Sequence, residues 1–126
     1  MTVDANRLKF LSIIEGQGRI DNRFSNPRRL DSNGGGGTFS LLFEAEDEQR
    51  ANSKVALKFL YPFERDPYRR ECFDRESEVL TKLTGQKDII QLIAAKSEYI
   101  YSVGPLDIPF SYYAVENGGN GSWLTY

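Results

Sequence analysis

Four consecutive glycines, Gly34 to Gly37, constrain this chain more than any other feature. Glycine weakens the interior of a strand or helix, so a run of four marks a connection between elements. Before it lies the strand-like stretch Phe24 to Leu30, in which Pro27 marks an edge position or a bulge. After it comes the apolar segment Phe39-Ser40-Leu41-Leu42-Phe43. The order is strand, glycine loop, strand. A polar turn, Asp47 to Ser53, then leads to a third strand, Val55-Ala56-Leu57-Lys58-Phe59-Leu60.

The periodicity changes next. Asp66 is a favourable N-cap and Pro67 suits the first helical position, so a helix starts there. Phe73, Val79, Leu80 and Leu83 recur at helical spacing, and Gly85 closes the helix. Ile89 to Ala95 and Tyr99 to Val103 are strand-like, as one long bent strand or as two. Pro109 to Val115 is a last strand, and Glu116 to Gly121 is a turn-rich exit. At the other end, Leu8, Leu11 and Ile14 at spacings of three predict a short amphipathic helix over Asn6 to Ile14, ended by Gly16 and Gly18. The spacing leaves open whether that helix packs on the sheet or serves a partner. The expected class is α+β: a five-stranded antiparallel sheet with one main packed helix, plus a short N-terminal helix. The expected division is a helical extension over 1–23, a sheet domain over 24–121 and a tail over 122–126.

Composition narrows the chemistry. The 126 residues are one domain's worth of chain, and 40% hydrophobic with 13% aromatic residues is enough for a core. A net charge of −2 argues against a nucleic-acid surface. Cys72 is the one cysteine, which excludes an internal disulfide framework and fits a reducing compartment. No stretch reads as a membrane span, and the N-terminus does not read as a signal peptide, so a cytoplasmic protein is expected. There is no histidine, which removes Ser-His-Asp chemistry and most zinc sites.

Three features carry chemistry. Backbone N–H groups of a glycine loop can approach phosphate oxygens with no side chain in the way, although a bare glycine run also suits a flexible hairpin tip. Lys58 shares a strand face with Ala56 and Leu60, opposite Val55, Leu57 and Phe59. Such a lysine either snorkels to solvent or is held as a fixed cation. Glu76 falls in the helical stripe of Phe73, Leu80 and Leu83, whereas Glu71 and Glu78 lie on more exposed faces. A carboxylate facing a core needs a cation, and Lys58 is the nearest candidate; a solvated glutamate at the helix edge is the alternative.

Taken in order, these residues resemble the N-terminal, ATP-binding lobe of the eukaryotic-type protein kinase family. Gly35-Gly36-Gly37-Thr38-Phe39-Ser40 resembles the glycine-rich loop, with Phe39 at its aromatic tip and Ser40 in place of the third glycine. Leu42-Phe43-Glu44-Ala45 resembles the strand that follows, and Val55-Ala56-Leu57-Lys58 resembles the V-A-I-K strand. Arg75 to Leu83 resembles the regulatory helix, with Glu76 as the ion-pair partner. Asp88 to Leu92 resembles the approach to the next strand. Tyr112-Tyr113-Ala114-Val115-Glu116 resembles the fifth strand and hinge, with Val115 as gatekeeper and Glu116 as the first hinge residue.

The resemblance runs from about Phe24 to Gly121. It implies that Gly35 to Ser40 cover the phosphates of ATP, that Lys58 meets the α- and β-phosphates and that Glu76 holds it there. Leu42 and Ala56 would line the adenine slot, and backbone groups at Glu116 and Gly118 would bond the adenine edge. Gly34 stands where a bulky apolar residue often closes over the adenine, which leaves that side open or differently filled. The family's H-R-D catalytic loop and D-F-G segment are absent from this sequence. The implied protein is therefore a truncated or split kinase, incomplete for phosphoryl transfer by itself, with magnesium held only through nucleotide phosphates. Such a lobe would expose apolar surface around Val115 and Leu42 to a separate C-lobe chain, a kinase or a second copy. A non-catalytic interaction module with the same fold, or a gene remnant, is the alternative. Neither nucleic acid nor membrane is an expected partner.

Overall fold

The computed structural model describes residues 3–30, 40–62, 66–83, 85 and 91–116. Helix α1 (Val3–Gly16) leads into strand β1 (Arg19–Ile20), followed by β2 (Phe24–Arg29) and β3 (Ser40–Asp47). A 3₁₀ turn (Glu48–Arg50) leads to β4 (Ser53–Leu60), helix α2 (Pro67–Lys82), β5 (Leu92–Val103) and β6 (Leu106–Glu116). Among the described residues, six strands form one antiparallel sheet in the order β1-β2-β3-β4-β6-β5.

The α+β class stands, but the sheet has six strands where the sequence suggested five. The additional one, β1, owes its existence to a tight turn. Asp21 and Asn22 both adopt positive φ, 54° and 55°. The Arg23 N–H donates to the Ile20 carbonyl across them, which returns the chain along β2. Asp and Asn tolerate this left-handed backbone because their short polar side chains bond locally. Two residues are too few to show a strand periodicity, so β1 left no pattern of its own.

Other elements follow their local chemistry. Pro27 sits at a register shift between Ser25 and Arg28, beside Asn26 with φ 55°. β5 is one strand, with register irregularities between Leu92 and Ser97. β6 starts three residues before Pro109, which pairs with Ile100 of β5. The ladder with β4 begins only at Tyr112, so the missing proline N–H breaks no bond on that side. α2 opens as expected: the Asp66 carboxylate accepts from the Tyr68 N–H at 2.9 Å, with Pro67 in the first turn. Asp66→Ala is expected to cost about 1 kcal/mol, read as a lower urea midpoint at unchanged slope.

The alternation along β4 divides the interior in two. Val55, Leu57 and Phe59 join a cluster with Leu41, Phe43 and Ala45 of β3, and with Phe110, Tyr112 and Ala114 of β6. Ala56 and Leu60 point the other way, joining Tyr113 and Val115 of β6 and Phe73 and Leu80 of α2. Helix α1 belongs to the first cluster through Phe10, Leu11 and Ile14. This settles its position: it packs on the sheet, on the face away from α2. Leu8 is 54% exposed, so the buried stripe is centred between Phe10 and Ile14 and not on Leu8.

The sheet is strongly curled. If it were flat, β1 and β6 would lie four strand spacings apart, about 19 Å, beyond the reach of a tyrosine. Yet Tyr112 on β6 donates its hydroxyl to the Asp21 carboxylate in the turn after β1. Tyr99 on β5 likewise donates to the Gln17 side chain beside α1. The first cluster therefore lies inside a surface that nearly closes on itself. Burial, and then the bond to Asp21, hold the Tyr112 hydroxyl well above its ordinary pKa.

Candidate functional site

The second face of the sheet carries Lys58 with Leu42, Ala56 and Val115. Across three adjacent strands the register sets Leu42, Lys58 and Tyr113 side by side, and the next row on this face is Glu44, Ala56 and Val115. α2 lies over this surface with Phe73 and Leu80 inward. Val79 stays 45% exposed, so the helix buries a narrower stripe than its apolar residues suggested.

Lys58 and Glu76 meet, as their faces implied. The Lys58 ammonium donates to Glu76 Oε1 at 2.6 Å, with the two side chains 18% and 23% exposed. Half-burial of both charges is tolerable because each neutralises the other. The ammonium carries three N–H donors, and one goes to Glu76. The remaining donors are chemically suited to phosphate oxygens, on a cation that a carboxylate keeps from swinging freely.

Tyr113 is a site residue that sequence reasoning missed. The resemblance placed it only within the fifth strand, and its ring is buried, 2% exposed. Its hydroxyl also donates to Glu76 Oε1, the atom that accepts from Lys58. The available signal was the strand alternation, which sets position 113 on the face of Lys58, together with a phenol that needs a partner when buried.

The remaining predicted positions divide into two groups. Leu42, Ala56 and Val115 share the face of Lys58, at 7%, 1% and 3% exposure. The apolar surface expected to lie open around Val115 and Leu42 is therefore covered. Leu30 and Leu92 pack against the cluster holding Ala56 and Val115. The Leu30 N–H also donates to the Leu42 carbonyl, and Gly34 lies outside the described residues. At Glu116 the backbone N–H is engaged by the Gln91 carbonyl at 3.0 Å, and the side chain accepts from the Gln91 N–H at 3.2 Å. Ser40 begins β3 opposite Leu60. Gly35, Gly36, Gly37, Thr38, Phe39 and Gly118 lie outside the described residues.

No model of a known protein family matches the chain, and no curated protein matches it. Among the described residues no three carboxylate, thiol or imidazole groups converge to hold a metal ion. No described helix is long and apolar enough to cross a membrane.

A shallow cavity of about 280 Å³ borders the site on the outer flank of α2, lined by Cys72, Arg75, Glu76 and Val79. Glu76 is thus reached from two sides: by Lys58 and Tyr113 from the sheet, and by this groove from outside.

Proposed function

We propose that this chain is a nucleotide-binding lobe of protein-kinase type, one that binds ATP weakly and does not complete phosphoryl transfer by itself. The observation that carries this reading is the 2.6 Å pair between a lysine in a central strand and a glutamate on the helix packed over it. Two further features support it. The strand order β2-β3-β4-β6-β5, with α2 inserted between β4 and β5, suits a sheet whose central strand presents one cation to a ligand. The strands flanking the glycine segment, β2 and β3, pair antiparallel, and β3 adjoins β4.

In this reading Lys58 neutralises charge on the phosphates, and Glu76 fixes its direction. The bound nucleotide brings the phosphates and any magnesium associated with them. The chain offers no H-R-D base and no D-F-G carboxylate, so a substrate hydroxyl has no group here to orient it. An adenine ring entering against Ala56 and Val115 would meet Leu30, which packs against the cluster that holds them.

The test is calorimetric titration of the purified chain with ATP and magnesium. Wild type is expected to bind, and Lys58→Ala to bind at least about tenfold more weakly, as befits loss of a charge-assisted contact. Absence of wild-type binding removes the proposal. The burial of Ala56 and Val115 favours one second reading, a non-catalytic module that keeps the fold without the ligand, and that same absence would support it.

A further inference from the structure

We infer that Tyr113 is a positioning residue that fixes Glu76, and through it Lys58. A strand lysine paired with a helix glutamate is by itself a single link, and a small rotation of the helix would break it. Here Glu76 is tied to two neighbouring strands at once: Lys58 on β4 and Tyr113 on β6 are register partners, and both donate to Oε1. The phenol is fixed in turn. Its ring packs on Phe73, one turn earlier on α2, with centroids 5.2 Å apart. Swinging α2 outward would break the ion pair, strip a buried phenol of its acceptor and separate the two rings. A carboxylate accepting two donors on one oxygen also has less freedom to turn away than one held by a flexible lysine alone.

The consequence for ligands rests on the proposed nucleotide reading; the lock itself does not. Phenylalanine at position 113 keeps the ring and its contact with Phe73 and removes only the hydroxyl. Two measurements on the full chain separate the claims. In ¹⁵N–¹H spectra, wild type is expected to show a sharp Lys58 ammonium signal in slow exchange, broadened or lost in Tyr113→Phe while the melting temperature moves little. An unchanged signal overturns the inference.

In titrations, Tyr113→Phe is expected to weaken ATP about three- to tenfold and to leave adenosine unaffected, since Lys58 meets only phosphates. In the Lys58→Ala background the same change is expected to have no further effect on ATP. An equal loss for ATP and adenosine would mean a merely structural role and overturns the inference. Should wild type bind no ATP while the ammonium signal still depends on Tyr113, the lock stands and the nucleotide reading falls.

Discussion

Ile14→Asp is expected to abolish cooperative folding of the chain. Ile14 is fully buried on α1, within the cluster that also takes Phe10 and Leu11 from the helix, Ile20 from β1 and Phe24 from β2. Removing the isoleucine side chain forfeits about 2–5 kcal/mol of packing. Placing a carboxylate there adds a desolvation cost of several kcal/mol, because the side chains of the cluster around it are apolar. The total stability of a domain this size is about 5–15 kcal/mol. Urea denaturation followed by circular dichroism reads the outcome: a broad, early transition is expected, and a wild-type midpoint would show that α1 is not part of the core. The reason for so large an effect is the curl of the sheet, which leaves α1 as the cover of the first cluster.

Asp47→Ala is expected to cost about 3 kcal/mol at neutral pH, because it strands a half-buried cation. Asp47 is fully buried at the end of β3. Its two carboxylate oxygens each accept from Arg23, through Nε and Nη2, at 2.9 Å. Oδ1 also accepts from the Gln49 N–H at 3.0 Å, capping the 3₁₀ turn. Burial acts to raise the carboxyl pKa, but the Arg23 hydrogen bonds, the Gln49 N–H and the charges of Arg23 and Arg50 together outweigh it and lower the value.

A carboxyl whose folded-state pKa lies below its unfolded value stabilises the fold fully above that unfolded value, about 4. The contribution disappears as the pH falls through the lowered one. The stability difference between wild type and Asp47→Asn is therefore expected to be largest at neutral pH and to shrink on acidification below about pH 4. A difference that does not change with pH would show that the charge on Asp47 is not what the variant removes. Glu15, lowered by its bonds to Arg29, contributes in the same direction.

Much of this molecule is legible along the chain because short-range rules act there. Strand alternation at Val55 to Leu60 divides side chains between two faces whatever those faces later meet, and both faces are found as read. Asp66 and Pro67 start α2 because capping and proline geometry are local. The same alternation and helical spacing set Lys58 and Glu76 facing one another.

Local rules failed where distance along the chain was large or an element was short. β1 is two residues, held by a turn and by its neighbour. Asp47 read as part of a polar turn, whereas Arg23, 24 residues earlier, makes its burial possible. Leu8 fits a helical stripe as well as Phe10 does, and only the position of the curled sheet decides between them.

The glycine run, Lys58 and Glu76 were visible in the sequence as a loop, a cation and an anion of suitable spacing, since residue type and period are properties of the chain alone. The tertiary structure decided that the cation and anion touch, and that Tyr113, 37 residues beyond Glu76, closes on the same oxygen. Periodicity assigns a side chain to a face but carries no distance between elements. Only the packing of α2 across β4 and β6 supplies that distance.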